Sequence, residues 1–125
     1  MTLYCQSLEE STRFYSEVLD LEVVFQDSNS CVFDLGGVMI NLIPRSSANE
    51  LVAPMDIAEP DSGSASLFTI QVSEVDHLAN SLKAKGAKVL NGPINRAWGI
   101  RTLTISDPSG YAWEFSAPLL DEPKQ

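Results

Sequence analysis

The chain contains the same pattern twice, and any fold it adopts must accommodate both copies. Asp34-Leu-Gly-Gly-Val-Met-Ile-Asn-Leu42 is echoed by Asp107-Pro-Ser-Gly-Tyr-Ala-Trp-Glu-Phe115. Asp34 matches Asp107, Gly37 matches Gly110 and Asn41 matches Glu114, each pair 73 positions apart (107 − 34). Upstream, Ser7-Leu-Glu-Glu10 and Ser73-Glu-Val-Asp76 each open an amphipathic stretch, 66 positions apart (73 − 7). Those stretches close on Leu21-Glu-Val-Val24 and Ala87-Lys-Val-Leu90. Two copies of one module of roughly 55 residues are too few for a solenoid and point to a pseudo-symmetric domain.

The pattern within each copy is strand, helix, then three strands. Residues 1–6 read as a strand. Ser7 and Glu10 form a capping box, and Leu8, Phe14, Tyr15, Val18 and Leu19 give a helical apolar stripe to about Asp20. Leu21–Gln26 reads as a strand. Cys31–Leu35 and Val38–Ile43 form a hairpin around Gly36-Gly37. In the second copy Ala65–Val72 is a strand and Ser73 caps a helix with Val75, Leu78, Ala79 and Leu82 on one face. Gly86 ends that helix, Lys88–Leu90 is a short strand, and Asn91-Gly-Pro93 is a turn. Ile100–Ser106 and Tyr111–Ser116 form the last hairpin, turned by Asp107-Pro-Ser-Gly110. The expected fold is α+β: one domain over 1–125, with module one at 1–43, a linker at 44–64, module two at 65–118 and a frayed polar tail at 119–125. The linker holds Pro44, Pro54 and Pro60, and Leu51–Met55 is expected to dock as a short segment. Two such sheets side by side imply a concave trough lined by alternate strand residues.

Composition excludes several function classes. A formal net charge of −9 argues against nucleic acid and anionic membrane surfaces, which need clustered Lys and Arg. No apolar run approaches the ~18 residues of a membrane span, and no basic-then-apolar opening suggests a secretory signal. Cys5 and Cys31 show neither ligand nor redox spacing, so a reducing, cytoplasmic setting is expected. The chain shows no Gly-rich phosphate loop, dinucleotide fingerprint or Cys–His pairing.

The segments Leu8-Glu-Glu-Ser-Thr-Arg-Phe-Tyr15, Val18-Leu-Asp-Leu21, Trp98-Gly-Ile-Arg101 and Asp107-Pro-Ser-Gly-Tyr-Ala-Trp-Glu114 resemble the signatures of the vicinal oxygen chelate superfamily. That family includes glyoxalase I, bleomycin-resistance proteins, fosfomycin-resistance enzymes and extradiol dioxygenases. The resemblance covers about residues 1 to 117. It implies paired βαβββ modules forming an open barrel-like sheet, and a homodimer. In the family's metal enzymes it also implies four side chains, mostly His and Glu, holding one divalent ion. Carried over one at a time, those positions fall at Met1 or just ahead of it, at Asn41, at Leu67 and at Glu114. One carboxylate and one amide cannot compete with water for Zn²⁺, Ni²⁺ or Fe²⁺. The single histidine, His77, is expected on the exposed side of the second helix.

No metal and no cofactor are therefore expected, and the closest pattern is the metal-free, bleomycin-resistance-like branch. The expected function is binding of a small organic molecule, with sequestration of an antibiotic as one form of it. The alternatives are a metal-dependent lyase, isomerase or dioxygenase of glyoxalase type, or a metal-free enzyme with Glu114 as base. Candidate ligand-binding residues are Asn41, Leu67, Thr69, Trp98, Arg101, Thr104 and Glu114, with Gln71 and Thr102 as further polar lining. Glu114 would anchor a cationic or hydrogen-bonding group. Trp98 offers a stacking face, and Arg101 a fork for carboxylate or phosphate. If Glu114 faces the trough, alternation turns Tyr111, Trp113 and Phe115 to the other face, and Trp113, Phe14 and Tyr15 read as core.

Overall fold

A computed structural model describes residues 1–119. The chain divides into two compact units, Met1–Gly63 with Pro108–Gly110, and Ser64–Asp107 with the chain from Tyr111 onward. Each unit holds one four-stranded mixed sheet. The first runs β1 (Thr2–Cys5), β4 (Val38–Pro44), β3 (Ser30–Leu35), β2 (Glu22–Asp27) in spatial order. The second runs β5 (Leu67–Gln71), β8 (Ala112–Pro118), β7 (Ile100–Ser106), β6 (Lys88–Asn95). The two orders are the same, so the repeat seen in the sequence is a repeat of topology. The fold class is α+β, as expected.

The shared residues do the same work in both copies. Asp34 accepts a hydrogen bond from the Gly37 N–H (2.9 Å), and Asp107 accepts one from the Tyr111 N–H (2.8 Å). An Asp carboxylate thus closes each hairpin by satisfying a backbone donor across its turn. Gly37 and Gly110 both take positive φ, at 99° and 94°, where an L side chain is strained. At Gly110 a Cβ would also collide with the Pro60 carbonyl oxygen. A third echo lies in the bulges. Register slips between Val23 and Phe25 in β2, and between Val89 and Asn91 in β6. The extra residues are Val24 and Leu90, again 66 apart (90 − 24).

Helices cover one face of each sheet. In the first unit α1 (Leu8–Arg13) begins with the Glu10 N–H donating to the Ser7 hydroxyl oxygen (3.2 Å). It continues as a π-helical turn, Phe14–Val18, in which the Leu19 N–H reaches back to the Phe14 carbonyl (3.0 Å). The wider turn keeps Phe14 and Tyr15 both buried, edge to face at 5.0 Å, with Tyr15 against Phe33. Leu3, Cys5, Cys31, Ile40 and Leu42 complete that core. In the second unit α3 (Asp76–Ala84) buries Ala79 and Leu82, the residue before it, Val75, is buried too, and so are Trp113, Phe115, Leu103 and Ile105. Trp113 packs on Phe68 at 4.9 Å.

Several expectations are corrected. The segment expected to be linker contains a helix, α2 (Arg45–Val52), which packs on β4 and β1 through the buried Ala48. Leu51 and Met55 do not dock; they are 64% and 73% exposed. Ser73 does not cap α3. The helix starts later, and Glu74 accepts from the His77 N–H instead (2.9 Å). A carboxylate reaches an orphan helix donor from one residue further along and also suits the positive helix end. Gly86 does terminate α3. The Gly86 N–H bonds the Lys83 carbonyl and the Ala87 N–H the Leu82 carbonyl, both 3.0 Å, the paired bonds of a Schellman motif. The strand expected to stop at Leu90 runs on to Asn95 through Gly92-Pro93. The expected polar tail lies beyond residue 119 in all but its first residue, outside the described residues.

Two outcomes test this packing. Trp113→Ala, which empties the second core, should cost about 3–5 kcal/mol in urea unfolding monitored by circular dichroism. Cys5 and Cys31 are buried, and desolvation pushes the Cys31 thiol above its ordinary pKa. Iodoacetamide at pH 8 should therefore leave both unmodified in the folded protein and alkylate both in denaturant, as read by intact mass.

Candidate functional site

The face of each sheet opposite its helix is set by strand register. In the second unit Thr69 lies beside Glu114, Glu114 opposite Thr104, and Thr104 opposite Asn91. These four residues make one row across the sheet, on the same side by period-two alternation. Trp113, Phe115, Leu103 and Ile105 take the other side, toward the core. The row is polar from end to end. Thr69 donates its hydroxyl to Glu114 Oε1 (2.9 Å), which holds the carboxylate in place. Among the described residues Glu114 has no cationic partner; the ion pairs are Arg45–Glu59 and Arg101–Asp76. Glu114 is half-buried, Thr69 exposed and Thr104 buried. Leu67 is on the same face, opposite Ala112, and half exposed.

The corresponding row of the first sheet is Thr2, Asn41, Val32 and Phe25. It occupies the same topological place with a different character. The Asn41 backbone N–H donates to the Met1 carbonyl (2.7 Å), and the residue is half-buried. Phe25 is 55% exposed.

Two of the expected site residues are placed elsewhere. Arg101 alternates with Thr102 and so emerges on the helix side of its sheet. There it forms a bidentate pair with Asp76, Nη2 to Oδ1 and Nε to Oδ2 both at 2.9 Å, and bonds Asn95 through Nη1 (2.8 Å). Its fork is filled by a helix-start carboxylate rather than offered to a ligand. Trp98 sits at the tip of the loop between β6 and β7, 70% exposed. Thr102 is on the open face but fully buried, because another residue covers it. That residue is Arg96, whose Nε donates to Thr102 Oγ1 (2.9 Å) and Nη2 to Asn91 Oδ1 (2.9 Å). Nothing in the spacing Asn91-Gly-Pro-Ile-Asn-Arg96 marks it, since a strand without a bulge would turn Arg96 to the helix side.

The residues do not fit a divalent ion. Of the four positions implied by the resemblance, the first falls at Met1 or just ahead of it, and the other three hold Asn41, Leu67 and Glu114. Register makes the immediate neighbours of Asn41 and Glu114 Thr2 and Thr69, whose neutral hydroxyls are no better. One anionic donor among them is too few for a site of this type. Among the described residues no three His, Cys, Asp or Glu side chains gather elsewhere.

Asp76 is held below the usual carboxylate range, first by its hydrogen bonds from Arg101. A depressed folded pKa contributes stability that is present above the unfolded value of about 3.9 and is lost as pH falls through the folded one. By carbon-detected NMR, Asp76 should titrate below 3.8 in the native chain and return toward that value in Arg101→Met.

A family model described as Glyoxalase/Bleomycin resistance protein/Dioxygenase superfamily matches residues 1–115. The uncharacterised protein YraH of Bacillus subtilis is 28% identical over 110 residues, covering 85% of this chain and 86% of that protein. A glyoxalase/bleomycin resistance protein/dioxygenase from Nocardioides superposes with a TM-score of 0.84 at 25% identity, over 100% of this chain and 85% of its own. A lactoylglutathione lyase from Agrobacterium tumefaciens shares the fold, with a TM-score of 0.72 at 22% identity over 94% and 90% of the two chains.

Proposed function

We propose that this chain, which belongs to the Glyoxalase/Bleomycin resistance protein/Dioxygenase superfamily, binds a small organic molecule without a resident metal ion. The molecule lies against the open face of the second sheet and is anchored by Glu114. Sequestration of a cationic drug of the bleomycin class is the form of this function that the charge favours. The observation that carries the reading is the polar row Thr69–Glu114–Thr104–Asn91, in which a carboxylate is oriented by a hydroxyl donor but, among the described residues, neutralised by no cation. A half-buried carboxylate of that kind favours a cationic or hydrogen-bond-donating group. The net charge of −9 acts in the same direction at longer range. No helix among the described residues is long and apolar enough to cross a membrane. A homodimer is the assembly we favour, because the edge strand β2 exposes Val23, Val24 and Phe25, an apolar edge that self-association would cover. A reducing, cytoplasmic setting is the one that the buried thiols of Cys5 and Cys31 suit.

The test has two arms. After incubation with Ni²⁺, Zn²⁺, Fe²⁺ and Mn²⁺ and desalting, elemental analysis should find far less than one ion per chain. A stoichiometric ion would restore the lyase or dioxygenase reading. Bleomycin should raise the melting temperature of the native protein, and Glu114→Gln should weaken its binding by about tenfold or more. Equal affinity for the variant removes Glu114 from the site. A substrate turned over by the native chain and not by the variant would instead make Glu114 a general base.

A further inference from the structure

The second copy carries a feature that the first lacks, and it builds a place for an anion. In the first copy the hairpin β2–β3 closes tightly, with Asp27 paired to Ser30. By the row equivalence above, Ser30 corresponds to Thr102, two residues before Thr104 as Ser30 is two before Val32. Beyond the Ile94–Thr102 pair the second copy continues with Asn95 paired to Arg101, and Arg96 follows the strand end opposite Ile100. The extension ends in a three-residue loop, Ala97-Trp98-Gly99. There the Arg96 N–H donates to the Ile100 carbonyl (2.7 Å), the Gly99 N–H donates to the Arg96 carbonyl (3.1 Å), and Gly99 takes φ 93°.

A bulge determines which way this extension faces. Asn91 pairs with Thr104 and Ile94 with Thr102, so three steps on β6 match two on β7. Gly92 occupies the crowded point. Its φ is 91°, and a Cβ there would collide with the Thr102 carbonyl oxygen. The extra residue returns Ile94 and Arg96 to the same face as Asn91, Thr104 and Glu114.

Arg96 is then folded back along that face. Two of the five guanidinium N–H donors are used, one on Thr102 and one on Asn91, both neutral acceptors. Among the described residues the other three have no partner and no carboxylate lies within ion-pair distance. Among the described residues the fork is therefore fixed in orientation, half-buried and uncompensated. It bonds to Asn91, the β6 end of the row that has Glu114 on β8. Two strand spacings, about 10 Å between their Cα positions, separate these ends.

We infer that Arg96, oriented by Thr102 and Asn91, is the anion-binding end of the same ligand surface, and that the ligand is a small zwitterion-like molecule. It presents a carboxylate or phosphate to Arg96 and an amine or hydroxyl donor to Glu114. This rests on the reading of the open face of the second sheet as the ligand surface. It adds the opposite pole, which favours a ligand carrying an anionic group beside its cationic or hydrogen-bond-donating one. Planar, bidentate recognition suits guanidinium better than an ammonium group.

The experiment is NMR titration of full-length protein, following the Arg96 Nε–Hε signal, the Glu114 carboxyl carbon and the Trp98 indole signal. The probes are inorganic phosphate, acetate, methylammonium, 4-aminobutyrate and 6-aminohexanoate. Phosphate and acetate should move the Arg96 signal in the native chain and in Glu114→Gln but not remove it from view in either. Arg96→Gln should weaken anion binding by about tenfold or more, and Arg96→Lys by less, with the melting temperature of both variants near the native value. At least one amino acid should bind about tenfold or more tightly than acetate and methylammonium separately, because joining the two groups makes the second contact intramolecular. An Arg96 signal unmoved by both anions would overturn the inference, as would equal anion affinity in Arg96→Gln or no gain from joining the two groups. Failure of methylammonium to move the Glu114 signal, with anion binding at Arg96 intact, would instead sink the Glu114 anchor and the zwitterion with it.

Discussion

In each unit the first strand lies parallel to the last, hydrogen-bonded along its length: Thr2 to Cys5 beside Asn41 to Pro44, and Leu67 to Gln71 beside Ala112 to Ser116. Parallel neighbours cannot be joined by a tight turn, so the chain between them must leave the sheet edge, cross as a helix and return through two antiparallel strands. That one pairing dictates the rest of each unit. It requires the helix, which covers one face and buries Tyr15 and Phe33 in one copy and Trp113 in the other. It leaves the opposite face uncovered by that helix. It also places the fourth residue after the turn glycine, Asn41 or Glu114, on that open face, beside a threonine from the first strand.

The two copies have kept this frame and diverged on what stands in it. The Asp of the turn, the glycine after it and the bulged residue before the hairpin serve the backbone, and they are the same or closely matched in both. The open row does not serve the backbone, and there the copies differ: Thr2, Asn41, Val32 and Phe25 in one, Thr69, Glu114, Thr104 and Asn91 in the other. Residues bound to a turn geometry have few substitutes, while residues on an open strand face are limited mainly by solubility and by whatever they touch. The second open row has become the charged one, with a carboxylate in it and a guanidinium bonded to its end, both lacking ionic partners among the described residues.

Most of the frame was legible because its markers are local. A Gly-Gly between alternating strands, an Asp-Pro-Ser-Gly turn and the stripe Val75, Leu78, Ala79, Leu82 each state a backbone conformation within a few residues. The alternation that put Trp113 in the core and Glu114 on the other face needs only a count of two. What escaped depended on longer-range choices. The helix Arg45–Val52 has one buried residue, Ala48, and so no apolar period to read. Ser73 resembles Ser7 as a cap, but the helix after it begins two residues later than the match suggests. Arg101 looked like a ligand group until its register turned it toward Asp76, and Arg96 drew no notice because its direction depends on a bulge.

That bulge bears on how a surface of this kind changes over time. Along a strand, the side on which a residue emerges is a matter of parity, and one added residue at Gly92-Pro93 inverts it for Ile94, Asn95 and Arg96. Removing a single codon there would send Arg96 toward the helix and bring Asn95 out in its place, with no side chain altered. A sheet can therefore acquire or lose a charged pole by counting rather than by substitution, and comparison of such sequences column by column would score the arginine as retained while its chemistry had moved to the other surface.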